Sequence, residues 1–380
     1  MEHRDSLQAM LATEVVPCRW LPDSYTLQRQ KHGPSGAGRS KILDSLFGTR
    51  DRGYLDSALK ALDESESTVV VAYWGTRPLA DILAIKKARP RLKVVLMALC
   101  HPLGFTSLGI FRQRLRMTRA GSSLDGVICP SMQLRAYLQQ NDLRGFGLPM
   151  LELAPCWPSS CQAPQRAPAA SEWPNLVFVG RTDIRGASAT GADDLRPLMA
   201  ELFGAGVRIH HTQSPDMDDG HPLRRPFSYL ATPQLISFMG GFDASLVAYN
   251  AAACKRRERL MLTVPDRLIT TVAAGIPVAI PRDGYPASKA YLSQYPAVIE
   301  FGSASELGGL LRDRVHMRDL AEAAWQARCH YTAQARAAPL IRFLEGILDG
   351  HGASARTGGA FARDGGENPD IRIPPAEPGT

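Results

Sequence analysis

Residues Val264–Ile280 read VPDRLITTVAAGIPVAI. A short helix opens behind a proline, stops at a glycine, and is followed at once by an apolar strand. Pro265 suits the first helical turn, where its missing N–H costs nothing. Ala273, Ala274 and Gly275 are small enough for close packing and supply a C-terminal stop. Pro277 blocks any continuation, and Val278–Ile280 resume a sheet. The helix N-terminus is then directed at the carboxyl edge of that sheet, with free amides and about half a unit of positive charge. A diphosphate is a fitting guest for such an end.

The text on either side repeats the same alternation. In the first half, Val15–Leu21, Thr68–Trp74, Lys93–Leu99 and Gly126–Cys129 read as strands. The helical text lies at Tyr54–Leu62, Pro78–Ala88, Ile110–Gly121 and Met132–Asn141. Near-continuous apolar strands separated by helices predict a parallel sheet covered on both faces. Residues 156–174, CWPSSCQAPQRAPAASEWP, are crowded with Pro, Ser and Ala without periodicity and read as an interdomain linker. The alternation then restarts, with strands at Asn175–Gly180, Gly206–His211 and Ala244–Asn250 and helices at Asp194–Phe203 and within Ala231–Phe242. Helical text runs from Ala304 to Leu348, and the glycine-rich remainder from 349 reads as a disordered tail. Two doubly wound sheets in tandem place the natural ligand site in the cleft between them.

Composition narrows the function classes. The chain has 380 residues, 44% hydrophobic and 21% charged, a globular balance and a length suited to two domains. No apolar run approaches the ~18 residues of a membrane span, and residues 1–16 carry no apolar signal-like core. Seven scattered cysteines without a CxxC pair read as reduced thiols of a cytosolic protein. Residues 1–165 hold 21 Lys and Arg against 14 Asp and Glu, whereas the rest is balanced at 23 against 23. The whole net charge of +7 therefore lies in the first half, which then either meets an anionic surface or is simply solvated. There is no basic–aromatic stripe for nucleic acid. Asp216–Met217–Asp218 spells DxD but lies in a turn-rich loop, and His210–His211 lack ligand partners at metal spacing, so no metal is expected. Lys255, Arg256, Arg257 and Arg259 read as a solvated charge run or a steering patch. FRQRLRMTR, Phe111–Arg119, sets Phe111, Leu115 and Met117 among four arginines. That pattern fits a membrane interface, or a surface helix that packs the strip on its own sheet.

Pro265–Ile280 resembles the donor-site helix of GT-B glycosyltransferases, especially the large retaining group (family 4-like) whose text there runs P-N-K-L-x-E-x-x-A-A-G-x-P-V. Asn175–Arg181 resembles the first strand of their donor domain, and Tyr229–Asn250 their segment ending near Tyr-Asn. Asp125–Ser131 and Lys93–His101 resemble two strands of their acceptor domain. The resemblance implies an α/β GT-B-like fold: two Rossmann-like domains facing a cleft, followed by closing helices. The domains would be 1–155 (acceptor), 156–174 (linker), 175–315 (nucleotide-sugar donor) and 316–348 (closing helices), with 349–380 as tail. It also implies roles. Arg181 and Arg185 would hold the donor diphosphate and His101 would line the acceptor pocket, forming the catalytic set. Gly180, Arg267, Thr270, Thr271, Pro265, Tyr249 and Asn250 would form the donor site. Two departures stand out. Thr270 occupies the position where the family carries a Glu that grips the ribose, and a hydroxyl cannot chelate a diol with a charge-assisted pair. The chain also begins in what reads as the helix Arg4–Leu11, so the opening strand and glycine-rich loop of such domains are read as missing.

The activity expected is transfer of a sugar from a nucleoside-diphosphate sugar to a polysaccharide, lipid-linked or other glycoconjugate acceptor of the cell envelope, with retention. The leaving diphosphate takes the acceptor proton, and no metal or other cofactor is needed. The location expected is cytoplasmic, with peripheral contact at the inner face of the membrane through the basic first domain. Two alternatives stay open: a catalytically weak or non-enzymatic relative that keeps the fold as a binding module, and a sugar-nucleotide epimerase, for which no carboxylate pair is evident.

Overall fold

The computed structural model describes residues 3–14, 16–18, 52–62, 68–73, 79–99, 107–164, 171–182, 191–214, 220–254 and 257–350. The first sheet is parallel, in the order β1 (Val69–Tyr73), β2 (Lys93–Met97), β3 (Gly126–Cys129) and β4 (Met150–Glu152). The helices are α1 (His3–Thr13), α2 (Arg52–Ala61), α3 (Leu79–Ala88), α4 (Ser107–Gly121) and α5 (Met132–Gln140). The steady order of the strands, with right-handed crossovers, puts α3, α4 and α5 on one face. Alternate residues of the strands sort accordingly. Val94, Leu96, Val127 and Cys129 pack with Met117, Leu134 and Leu138 on that face. Val95, Met97 and Ile128 point the other way, against Leu7 and Met10 of α1 and Leu340 and Ile347 of α13 (Ala337–Leu348). The last helix among the described residues thus covers the first sheet.

The second sheet has six parallel strands: β5 (Asn175–Phe178), β6 (Arg208–Thr212), β7 (Arg224–Phe227), β8 (Ala244–Leu246), β9 (Val278–Pro281) and β10 (Val298–Phe301). Their order is β10-β9-β8-β5-β6-β7. The chain winds outward from β5 to β7, returns to pair β8 with the other side of β5, and winds outward again. That reversal is a topological switch point, the place where open parallel sheets bind ligands. The helices between these strands are α6 (Arg196–Gly204), α7 (Thr232–Met239), α8 (Glu258–Leu262), α9 (Asp266–Ala274) and α10 (Pro286–Tyr291), and α11 (Ala304–Arg312) and α12 (Arg314–Ala327) follow β10.

Several expectations change at the level of elements. A strand over 15–21 does not form at its described residues, 16–18, which are irregular. Three short strands were not legible. β4 closes the first sheet, β7 is an arginine- and proline-bearing edge, and β10 lies outside β9. Edge positions tolerate short, polar strands that carry no clear alternation. The residues Cys156, Trp157, Cys161 and Ala163 of the 156–174 segment are buried against α7 and α9. The strap's apolar residues are too few to show a period yet sufficient to anchor it. The DxD at 216–218, Lys255, Arg256 and the tail beyond 350 lie outside the described residues. Among the described residues no helix is long and apolar enough to cross a membrane, and no cluster of His, Cys, Asp and Glu could hold a metal.

Candidate functional site

The switch point brings together the ends of β5 and β8 and the start of α9. A helix that follows a parallel strand begins at that strand's carboxyl edge, so α9 points its first turn at this place. Pro265 is the residue that caps α9, with φ −74° and ψ 146°, rather than a member of its first turn. Proline has no side-chain acceptor, so Pro265 supplies no side-chain cap to the opening amides, and the Leu268 N–H bonds the Pro265 carbonyl at 2.9 Å. At the other end Gly275 closes the helix in the left-handed conformation, φ 67°, which a residue with a Cβ adopts only at a cost.

Arg267, in the first turn of α9, is the centre of the arrangement. Its guanidinium donates to the Ala248 carbonyl at 3.0 Å. It lies 4.3 Å from the ring centroid of Tyr249 and 5.1 Å from that of Phe178. A cation held by two rings and a carbonyl has its geometry set before any ligand arrives. Gly180 makes room for this. A Cβ at that position would stand 2.9 Å from Arg267 Nη1 and 2.1 Å from Phe178 Cζ. The glycine after β5 is therefore required for close approach rather than for a special φ. Arg181, next to it, is exposed at the same edge.

The wall of the site is built by aromatic and amide groups. The Tyr249 N–H donates to the Tyr285 hydroxyl at 2.8 Å, and the two rings stack 6.2 Å apart. Tyr285 has φ 60°, the one non-glycine residue described with a left-handed backbone. Its side chain is 3% exposed, and burial pushes its hydroxyl up to about 12. Strain at a non-glycine residue persists where the surroundings over-determine it, here through the hydroxyl that clamps Tyr249. Asn250 is turned into the loop: its N–H donates to Ala192 O at 2.9 Å and its amide to Asp194 O at 3.2 Å. Asn250 thus ties two loops together beneath the edge. Asp194 is paired with Arg196 at 2.8 Å, and that hydrogen bond lowers its pKa.

The two threonines of α9 have other employment. Thr270 donates to Asp266 O at 2.8 Å and accepts from the Trp157 indole N–H at 3.2 Å, with 5% of its surface exposed. Thr271 is fully buried and bonded to Arg267 O at 2.7 Å and to Ser245 Oγ at 2.8 Å. With one hydroxyl proton to give, it donates to the carbonyl while Ser245 donates to it. Thr271 therefore joins α9 to β8 and has no surface to offer a ligand. His101 and Arg185 lie outside the described residues. The structure groups Gly180, Arg181, Tyr249, Arg267 and the start of α9, and adds Phe178 and Tyr285, which sequence reading missed. The signal available for Tyr285 was its place after Asp283–Gly284 at the end of β9.

No family model matches the chain, and no curated protein matches it. Solved structures do. A glycosyltransferase from Rickettsia africae aligns over 91% of this chain and 94% of its own, with a TM-score of 0.58 and 10% identity. A trehalose-6-phosphate synthase, OtsA, aligns over 90% and 93% with a TM-score of 0.57 and 9% identity. The pneumococcal O-GlcNAc transferase GtfA, solved with UDP and GlcNAc, aligns over 78% of this chain with a TM-score of 0.52 and 9% identity. This chain covers 60% of that transferase's length. Identities this low speak to architecture. The two parallel sheets, the switch point and these alignments together show that the chain has the GT-B glycosyltransferase fold.

Proposed function

We propose that the chain is a glycosyltransferase that takes a nucleoside-diphosphate sugar, transfers the sugar with retention to a glycan or lipid-linked acceptor, and serves cell-envelope polysaccharide or glycoconjugate synthesis. The observation that carries this reading is the preset Arg267 guanidinium beside Gly180 and the start of α9, which carries no side-chain cap. Charge grows on the diphosphate as the glycosidic bond breaks, and a cation already oriented stabilises it without reorganising. Arg181 lies at the same edge and supplies a second positive charge, and Arg185 is proposed to join it. The diphosphate oxygen then accepts the acceptor's proton, so no protein nucleophile and no metal is required. His101 is proposed to line the acceptor side.

Thr270 favours a second reading, a catalytically weak relative that binds nucleotide. Its hydroxyl is committed to Trp157 and Asp266 instead of a ribose. Calorimetry with UDP, GDP and ADP separates these from a fold with no nucleotide site. One nucleotide should bind in the micromolar range. Arg267→Met should weaken it by about 1.5–3 kcal/mol, roughly 10- to 150-fold, because a charge-assisted contact is lost. Arg181→Ala should weaken it in the same direction. Absence of binding by a folded protein overturns both readings, and binding without release of nucleoside diphosphate from any sugar donor selects the second.

A further inference from the structure

The peptide unit between Ala248 and Tyr249 is held at both of its polar ends. Its carbonyl accepts from Arg267 Nη1 at 3.0 Å, and its N–H donates to the Tyr285 hydroxyl at 2.8 Å. A peptide is a rigid plane, so the direction of the N–H fixes that of the carbonyl. Tyr285 therefore sets where the acceptor that holds Arg267 points. Hydrogen bonds in series also polarise one another, and the guanidinium on the oxygen makes the N–H a better donor. The Tyr285 ring stacks on the Tyr249 ring, whose centroid is 4.3 Å from the same guanidinium. Both holds on Arg267, the carbonyl and this ring, thus lead back to one side chain.

The backbone that places Tyr285 is unfavourable. Gly284 and Tyr285 are both left-handed, with φ 81° and 60°, and Pro286 further restricts the residue before it. Glycine adopts such a conformation freely and tyrosine does not. A glycine at 285 would form the turn without strain, but it would leave the Tyr249 N–H without this acceptor. The charges nearby are engaged elsewhere: Arg282 bonds Glu306, and Lys289 bonds Glu300 at 2.7 Å. What the loop after β9 brings to the site is the hydroxyl.

We infer that Tyr285 is a positioning residue of the donor site: its hydroxyl orients the Ala248–Tyr249 peptide and so holds Arg267 where a nucleoside diphosphate meets it. The inference rests on the donor-site reading. An arginine already fixed in one geometry loses little side-chain freedom on binding, and loosening it restores that cost. Tyr285 acts through Arg267, without contact to the ligand.

The test is calorimetry on the full chain with whichever of UDP, GDP and ADP the parent binds, well below the melting midpoint of every variant. Tyr285→Phe keeps the buried ring and removes only the hydroxyl. It should weaken binding roughly 3- to 10-fold, the effect of one lost hydrogen bond. In an Arg267→Met background the same change should alter affinity by less than about 2-fold, because its route to the ligand is gone. Parent-like affinity in Tyr285→Phe overturns the inference and leaves the donor-site reading standing. An equal loss in both backgrounds also overturns it, since the hydroxyl would then act independently of Arg267. A parent that binds none of the three nucleotides overturns the donor-site reading, and this inference with it.

Discussion

Replacing Gly180 by alanine adds one carbon where the structure has none to spare. The new Cβ would meet the Phe178 ring at 2.1 and 2.6 Å and Arg267 Nη1 at 2.9 Å. The contact with Phe178 is the harder to relieve. That ring is 1% exposed and packed among Leu195, Met199 and Leu246, so turning it away disturbs the core beside α6. Overpacking of this kind costs about 1–3 kcal/mol, which in a domain of this size lowers Tm by roughly 2–12 °C. Arg267 is displaced at the same time, since its guanidinium rests on the same ring. Nucleoside diphosphate affinity should therefore fall at least ~10-fold, the effect of about 1.4 kcal/mol. Thermal unfolding and calorimetry on one preparation read both effects. The double variant with Arg267→Ala should recover part of the lost stability, because one of the two colliding partners is gone. An alanine variant that melts with the parent refutes the packing argument. One that melts lower yet binds nucleotide as the parent does refutes the role given to Gly180 and Arg267 in the site.

Thr271→Val keeps the shape of a fully buried side chain but leaves the Ser245 hydroxyl without its acceptor. A loss of about 1–3 kcal/mol in chemical denaturation is expected, and an unchanged midpoint would show that the pair is dispensable. His210 is held down to about 4 by burial first and then by Arg208, Arg225 and His211. A folded-state pKa below the unfolded value of ~6.5 makes the folded chain bind fewer protons in between. Stability from this group is thus complete above about pH 6.5 and falls progressively as the pH drops toward 4, and His210→Gln should flatten the Tm against pH profile over that window. Equal slopes in the two proteins would remove His210 from the explanation.

The two sheets were legible because buried parallel strands announce themselves as apolar runs such as Val94–Met97 and Leu176–Phe178, with helices of ordinary period between them. The limits of α9 were legible too, since Pro265, Gly275 and Pro277 act on their own backbones and need no partner. Gly180 and Arg267 could be picked out through the resemblance of their segments to the donor-site text of GT-B glycosyltransferases. What they form together could not, because it depends on Phe178, Tyr249 and Ala248 arriving at the same point from different strands. Thr270 shows the limit most plainly. Its neighbour Trp157 lies 113 residues earlier, and no local pattern states that an indole will take up the hydroxyl. The same holds for α4, where Phe111 and Met117 look alike in the text and only the packing of α3 and α5 turns one outward and buries the other. Local sequence, then, determined the buried central strands and the helices between them, because propensity and capping act within a few residues, but not the edge strands β4, β7 and β10. The tertiary structure alone decided the strand order that creates the switch point, the burial of Thr270 and Thr271, and the return of α13 to the first sheet, because each is a contact between segments distant in the chain.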